Sequence, residues 1–207
     1  MFEIGQYYHI YNRGSDKRNI ILDENDLKRF FQSLIEFNSI EPSGSIYLKN
    51  LKKYKLKELS SRTTQKLVSI IAYCINPNHF HLILSPLVEN GIEKFMQRIG
   101  GYTRYFNEKY NRSGVLFQGK FKSKLIEDDR YLIQLSAYVN LNNLDKNFNP
   151  SFDLSKSSLQ EYTKDEYKGL CDKTIILNNF KNKKDYTEVA KALWLETLKR
   201  KENIEFE

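Results

Sequence analysis

His79 and His81, two of the chain's three histidines, stand one residue apart in Asn78-His79-Phe80-His81, between apolar runs at 68–75 and 82–84. Side chains alternate faces along a strand, so a strand from Phe80 onward projects both imidazoles from one side and Phe80 from the other. Neutral imidazole is a common metal ligand, and this spacing makes a bidentate site without further backbone contortion. A solvated or core pair is the other reading, since no third ligand lies nearby in sequence.

A second constellation lies farther along. Gln134, Tyr138 and Asn142 are spaced by four, so on a helix a phenol is flanked by an amide one turn before and one turn after. Alone, this stripe reads as a half-buried tyrosine with polar neighbours at a helix end.

The elements that must position these groups follow from periodicity and punctuation. Residues 7–13 are aromatic and β-branched and end at Gly14-Ser15-Asp16, which predicts an opening strand and a loop. Asp23, with Asp26 three residues on, predicts a helix cap, and Leu27, Phe30, Phe31, Leu34 and Ile35 keep the helical period. Residues 39–66 contain Pro42, Gly44 and a lysine-rich stretch, and read as an exposed insertion. Two buried strands, 68–74 and 80–84, flank the turn Asn76-Pro77-Asn78.

After Gly91, Ile92, Phe95, Met96, Ile99 and Phe106 recur at helical spacing, with Lys94, Arg98 and Arg104 outside. Residues 115–126 then predict a strand carrying Lys120, Lys122 and Lys124 on one face, either a ladder along a phosphate backbone or an ordinary exposed sheet face. Asp128 or Asp129 caps a helix running to about residue 141, with Leu132, Leu135 and Val139 toward the core. A terminal helix begins near Asp185 and is packed down by Trp194.

Composition bounds the possibilities. The chain has 207 residues and a formal net charge of +7. Residues 1–150 hold 22 Lys and Arg against 15 Asp and Glu, and 151–207 hold 11 of each, so all the excess is in the first part. Lys94, Arg98, Arg104, Lys109, Arg112, Lys120, Lys122 and Lys124 face only Glu108 across 94–124. A polyanion is the matching partner, a solvated basic face the simpler account. The absence of a long apolar stretch or a signal-type start argues against a membrane span or secretion. Cys74 and Cys171 suggest neither a disulfide nor a thiolate site, and a cytoplasmic location is expected.

Six short segments, in order, resemble the REP-associated branch of the single-tyrosine HUH transposases. They are Tyr8-His9-Ile10-Tyr11-Asn12-Arg13-Gly14, Asn76-Pro77-Asn78-His79-Phe80-His81-Leu82, Phe95-Met96-Gln97-Arg98, Tyr105-Phe106-Asn107, Leu116-Phe117-Gln118-Gly119-Lys120-Phe121-Lys122 and Tyr138-Val139-Asn140-Leu141-Asn142. The likeness covers about residues 5–145. It implies an α+β, ferredoxin-like antiparallel sheet with helices packed on it (the HUH nuclease fold), here with a helical C-terminal extension. It divides the chain into a catalytic domain at 1–145, with the exposed insertion at 39–66, and an extension at 146–207.

The resemblance also implies roles. His79 and His81 match the pair that binds a divalent cation, Mg²⁺ or Mn²⁺, and Tyr138 matches the nucleophile that forms a 5′-phosphotyrosine with single-stranded DNA. Asn142 is the expected third ligand, with Gln134 as runner-up. Asn12, Arg13, Arg98, Arg104, Arg112, Lys120, Lys122 and Lys124 form the expected DNA-binding set. His9 is expected to be structural or to touch DNA rather than metal. Where the family often has Asn-Pro after the nucleophile helix, this chain has Asn142-Asn143, which leaves the helix end open.

The implied activity is cleavage and rejoining of single-stranded DNA, beside palindromic hairpins, with no membrane partner and either a monomer or a homodimer. A domesticated hairpin-binding module without strand transfer is the alternative. A metal-dependent hydrolase using water ranks below both.

Overall fold

The computed structural model describes residues 1–41, 65–145, 147–151, 153–166 and 169–204, so nearly all of the expected insertion lies outside the described residues. Its elements are β1 (Tyr7–Arg13), α1 (Glu24–Glu36), β2 (Val68–Ile75), β3 (His79–Pro86), α2 (Gly91–Gly100), α3 (Tyr102–Lys109), β4 (Lys122–Ile126), α4 (Asp129–Leu141), β5 (Lys156–Ser157), α5 (Leu159–Thr163), α6 (Thr174–Leu177) and α7 (Lys183–Ile204). The sheet order is β4-β1-β3-β2-β5, and every neighbouring pair is antiparallel. Helices separate β1 from β2 and β3 from β4, so the first four strands have the ferredoxin-like arrangement.

Local signals account for the boundaries. The Asp23 carboxylate accepts from the Asp26 N–H at 2.9 Å, and that of Asp128 from the Tyr131 N–H at 2.7 Å, so both helices start on an aspartate cap. The β2–β3 turn is held from outside, because Ile20 and Ile21 donate to Pro77 O and Gly14 donates to Asn78 O. Alternation along β1 and β3 then divides two cores. Tyr8, Ile10, Phe80, Leu82 and Leu84 face α1, α2 and α3, whereas Ile83 and Cys74 face α4 and α7.

Two sequence expectations change. The apolar pattern from Ile92 to Phe106 belongs to two helices divided at Gly101, not one. The strand expected over 115–126 shrinks to Lys122–Ile126. Residues before it wrap the end of β1 instead: Ser15 donates to Leu116 O, and Gln118 donates to Arg13 O. Gly119, at φ +75°, folds this segment in a conformation that side-chain-bearing residues disfavour. Lys120 therefore stands outside the Lys122/Lys124 register.

The segment after 150 packs onto the sheet. Ser157 pairs with Cys74 at its edge, and Tyr162 donates to Ile71 O at 2.7 Å. The buried Glu161 carboxylate accepts from Tyr73 Oη at 3.0 Å and the Cys171 N–H at 2.8 Å. Asn140 of α4 donates to Tyr186 of α7 at 2.6 Å, and Trp194 is buried beside them.

Candidate active site

Register places the chemistry on one face. Lys122 is opposite Tyr11, Tyr11 opposite His81, and Arg13 opposite His79, so these side chains share the face that α4 covers. Together with Tyr138 and Asn142 they line a cavity of about 530 Å³. His79 and His81 have ring centroids 5.2 Å apart, and the Tyr138 ring stands 5.5 Å from His81, edge to face. Residues some 60 positions apart in sequence thus meet at one point. Its far wall is Trp194 of α7, whose ring lies 5.9 Å from that of Tyr138.

Asn142 caps α4 at its C-terminus, so the helix ends after Leu141 without a proline at 143. Its Oδ1 lies 3.1 Å from His79 Nε2 and accepts from Asn76 Nδ2 at 2.9 Å. Asn76, fully buried, also faces His79 Nε2 at 3.0 Å. Gln134 does not line the cavity.

Each histidine of the pair is held through Nδ1. His79 Nδ1 lies 2.5 Å from Asn78 Oδ1, an acceptor, which assigns the proton to Nδ1 and the lone pair to Nε2. His81 Nδ1 lies 2.9 Å from His9 Nε2. Burial, with Lys124 as a smaller cause, lowers the His9 pKa to about 4, so at neutral pH His9 is uncharged and its Nε2 can accept. An accepting His9 Nε2 would put the His81 proton on Nδ1, the tautomer assigned to His79. Two imidazole Nε2 atoms and the Asn142 amide oxygen form a donor set suited to a hard or borderline divalent cation completed by water or substrate oxygens. No group of three His, Cys, Asp or Glu suited to a metal occurs among the described residues, and Asp145 also lines this cavity.

The basic residues divide. Asn12, Arg13 and Lys122 line the cavity, and Lys124 lies 4.9 Å over the Tyr131 ring on the same side. Arg98, Arg104 and Arg112 are not brought to it, because α2, α3 and the turn after them pack on the opposite face. Arg98 donates to Phe37 O and Ser39 O, Arg104 pairs with Glu108 at 2.7 Å, and Arg112 lies 5.6 Å over the Phe106 ring. Lys120 is turned toward that opposite side as well. The other tyrosines of the basic region are structural: Tyr102 donates to Ile20 O, and Tyr105 and Tyr110 donate to Asp26.

Sequence did not single out Asn76, which packs behind the cavity against His79 and Asn142, or Tyr11 and Trp194, which line it. Asn76 opens one of the quoted segments, and its position directly after a buried strand was the available signal. Tyr11 shares the strand alternation of His9. Trp194 carried a packing signal only, with nothing to say against what.

Comparison with known proteins follows the same chemistry. Residues 44–142 match the family model described as "Transposase IS200 like". This stretch of the chain is similar to the IS200-like transposases. That region spans the histidine pair, Tyr138 and Asn142, and its family acts in DNA transposition. No curated protein matches the sequence. Among solved structures, one titled "Structure of the REP associates tyrosine transposase bound to a REP hairpin" is 13% identical, covering 69% of this chain and 68% of that one with a TM-score of 0.44. No helix among the described residues is long and apolar enough to cross a membrane.

Proposed function

We propose that this chain cleaves and rejoins single-stranded DNA, beside palindromic hairpins, with Tyr138 as nucleophile and His79, His81 and Asn142 holding a divalent cation, Mg²⁺ or Mn²⁺. The observation that carries the reading is the convergence of the Tyr138 ring and the histidine pair on one cavity, 5.5 Å apart at His81. Arg13 and Lys122 give that cavity a cationic lining for a phosphodiester.

In the reaction, Tyr138 Oη attacks the scissile phosphorus and the bond to the 3′ oxygen breaks. The phenol proton leaves, the departing oxygen takes up a proton, and the products are a 5′-phosphotyrosine and a free 3′-hydroxyl. When bound, the cation orients the phosphate and stabilises negative charge on its oxygens. Because the ester bond is exchanged rather than hydrolysed, attack by a second 3′-hydroxyl reverses the step and joins strands without ATP.

The test is a denaturing gel of protein incubated with labelled hairpin oligonucleotide and Mg²⁺ or Mn²⁺. Wild type should give a covalent protein–DNA band and Tyr138→Phe none. Cleavage that persists in Tyr138→Phe without an adduct would indicate water as nucleophile. Salt-sensitive hairpin binding with neither cleavage nor adduct would leave a binding module.

A further inference from the structure

A second cavity, of about 480 Å³, opens between α2 and residues 117–121, on the opposite face of the sheet from Tyr138. Its volume falls in the range of about 300–1,000 Å³ usual for small-ligand pockets. Its walls are aromatic: Phe80 is buried and meets Phe117 edge to face at 5.9 Å, and Phe121, half-buried, stands beside them. Rings placed this way offer faces and edges to a flat heterocycle whatever its identity.

A carboxylate stands in this largely apolar lining, alongside Asn12, Gln97 and Lys120. Glu93, from the first turn of α2, contributes to the cavity wall, and its Oε2 is out of solvent with no hydrogen-bond partner among the described residues. A buried acceptor in that state is unfavourable until a donor arrives. Lys120 supplies a cation at the rim.

One residue is common to the two cavities. Asn12 lines both cavities, and its Nδ2 donates to Gly119 O at 3.2 Å, tying the 117–121 segment to the end of β1. The neighbouring Tyr11 and Arg13 point into the catalytic cavity. A strand crossing this end of the sheet can therefore leave a phosphate on one face and turn a base toward the other.

We propose that this cavity takes one unstacked base of the single-stranded DNA, read through Glu93 and stacked among Phe80, Phe117 and Phe121, with Lys120 toward its phosphate. Guanine is the base that fits. A carboxylate only accepts, and guanine offers two adjacent donors, N1–H and the N2 amine, whereas adenine, cytosine and thymine each offer a single donor group on that edge. The inference rests on the single-stranded DNA reading above.

The probes are short thymidine oligonucleotides carrying one central guanine, hypoxanthine or thymine, with binding followed by fluorescence anisotropy. Hypoxanthine differs from guanine only in lacking the N2 amine. Wild type should bind the guanine strand about tenfold more tightly than the hypoxanthine strand, the discrimination expected of a well-made base contact. Glu93→Gln should bring that ratio near one, and Phe117→Ala should weaken guanine binding toward the thymine level. Equal binding of guanine and hypoxanthine by wild type, or a ratio unchanged in Glu93→Gln, overturns the proposal. Thermal unfolding of each variant reports its folding independently. An adduct without base discrimination removes only this pocket, and discrimination without an adduct removes only the cleavage chemistry.

Discussion

His9 Nε2 lies 2.9 Å from His81 Nδ1, with the two rings nearly parallel at a centroid separation of 5.1 Å. One neutral imidazole thus restrains the rotation of another, and His81 lines the cavity shared with Tyr138. Second partners of this kind govern ligand basicity as well as orientation.

His9→Phe should therefore lower divalent cation affinity about 10–100-fold while keeping aromatic bulk in the stack with Tyr11. His9→Gln, which retains an acceptor, should recover much of the loss. Calorimetric titration with Mn²⁺ measures both, and wild-type affinity in His9→Phe would show that His81 is oriented without His9.

The same contact sets a pH dependence. Burial holds the folded-state pKa of His9 at about 4, below the ordinary value of 6.5. Between those values the unfolded chain binds a proton that the folded chain does not, so stability is greatest above about pH 6.5, declines as pH falls, and levels off below about 4. The gap corresponds to a loss of at most about 3 kcal/mol. Urea denaturation across this range should show the decline in wild type and a shallower one in His9→Phe. Equal slopes would mean that other groups carry the effect.

Asp26 ties α1 to α3 and the residue after it. Its carboxylate is fully buried and receives Lys109 Nζ at 2.7 Å, Tyr110 Oη at 2.8 Å, Tyr105 Oη at 3.1 Å and the Leu22 N–H at 2.9 Å. Lys109→Met removes the neutralising partner but leaves three donors, so the expected cost is about 2 kcal/mol. Thermal unfolding should report it as a lowered Tm, with adduct formation unchanged well below that temperature. An unchanged Tm would mean that the tyrosines alone satisfy Asp26.

Strand alternation made the histidine face legible, because β1 and β3 carry polar and apolar residues on opposite sides and a register error would bury the wrong set. The caps at Asp23 and Asp128 were legible for a similar reason, since a carboxylate that satisfies an N–H three residues on is a local contact. The 115–126 segment was not. Its alternating lysines imitate a strand, but hydrogen bonds to Arg13 and Ser15 more than 100 residues earlier decide its path. The apolar period of 92–106 likewise runs across the break at Gly101, because both helices bury the same face against the same core. Asn76 needed the third dimension: only the meeting of β2 with the end of α4 puts it against Asn142.

Trp194 tests whether α7 belongs to the catalytic unit. The Tyr138 ring is held between His81 at 5.5 Å and Trp194 at 5.9 Å, so the position of the proposed nucleophile depends on a helix that the sequence placed in an extension. Trp194→Ala removes that wall and should cost about 3 kcal/mol, as large-to-small core changes do, while Trp194→Phe should keep most of the packing. A ring displaced by about 1 Å can lose on the order of 100-fold in rate. The expected result is a fall of roughly 10–100-fold in the single-turnover rate of hairpin cleavage for Trp194→Ala, with hairpin affinity changed far less. Trp194→Phe should lie between. Since α7 touches Tyr138 and not the basic strand face, a parallel loss of affinity and rate would instead mean that the fold as a whole had loosened, and an unchanged rate would mean that α4 alone holds Tyr138.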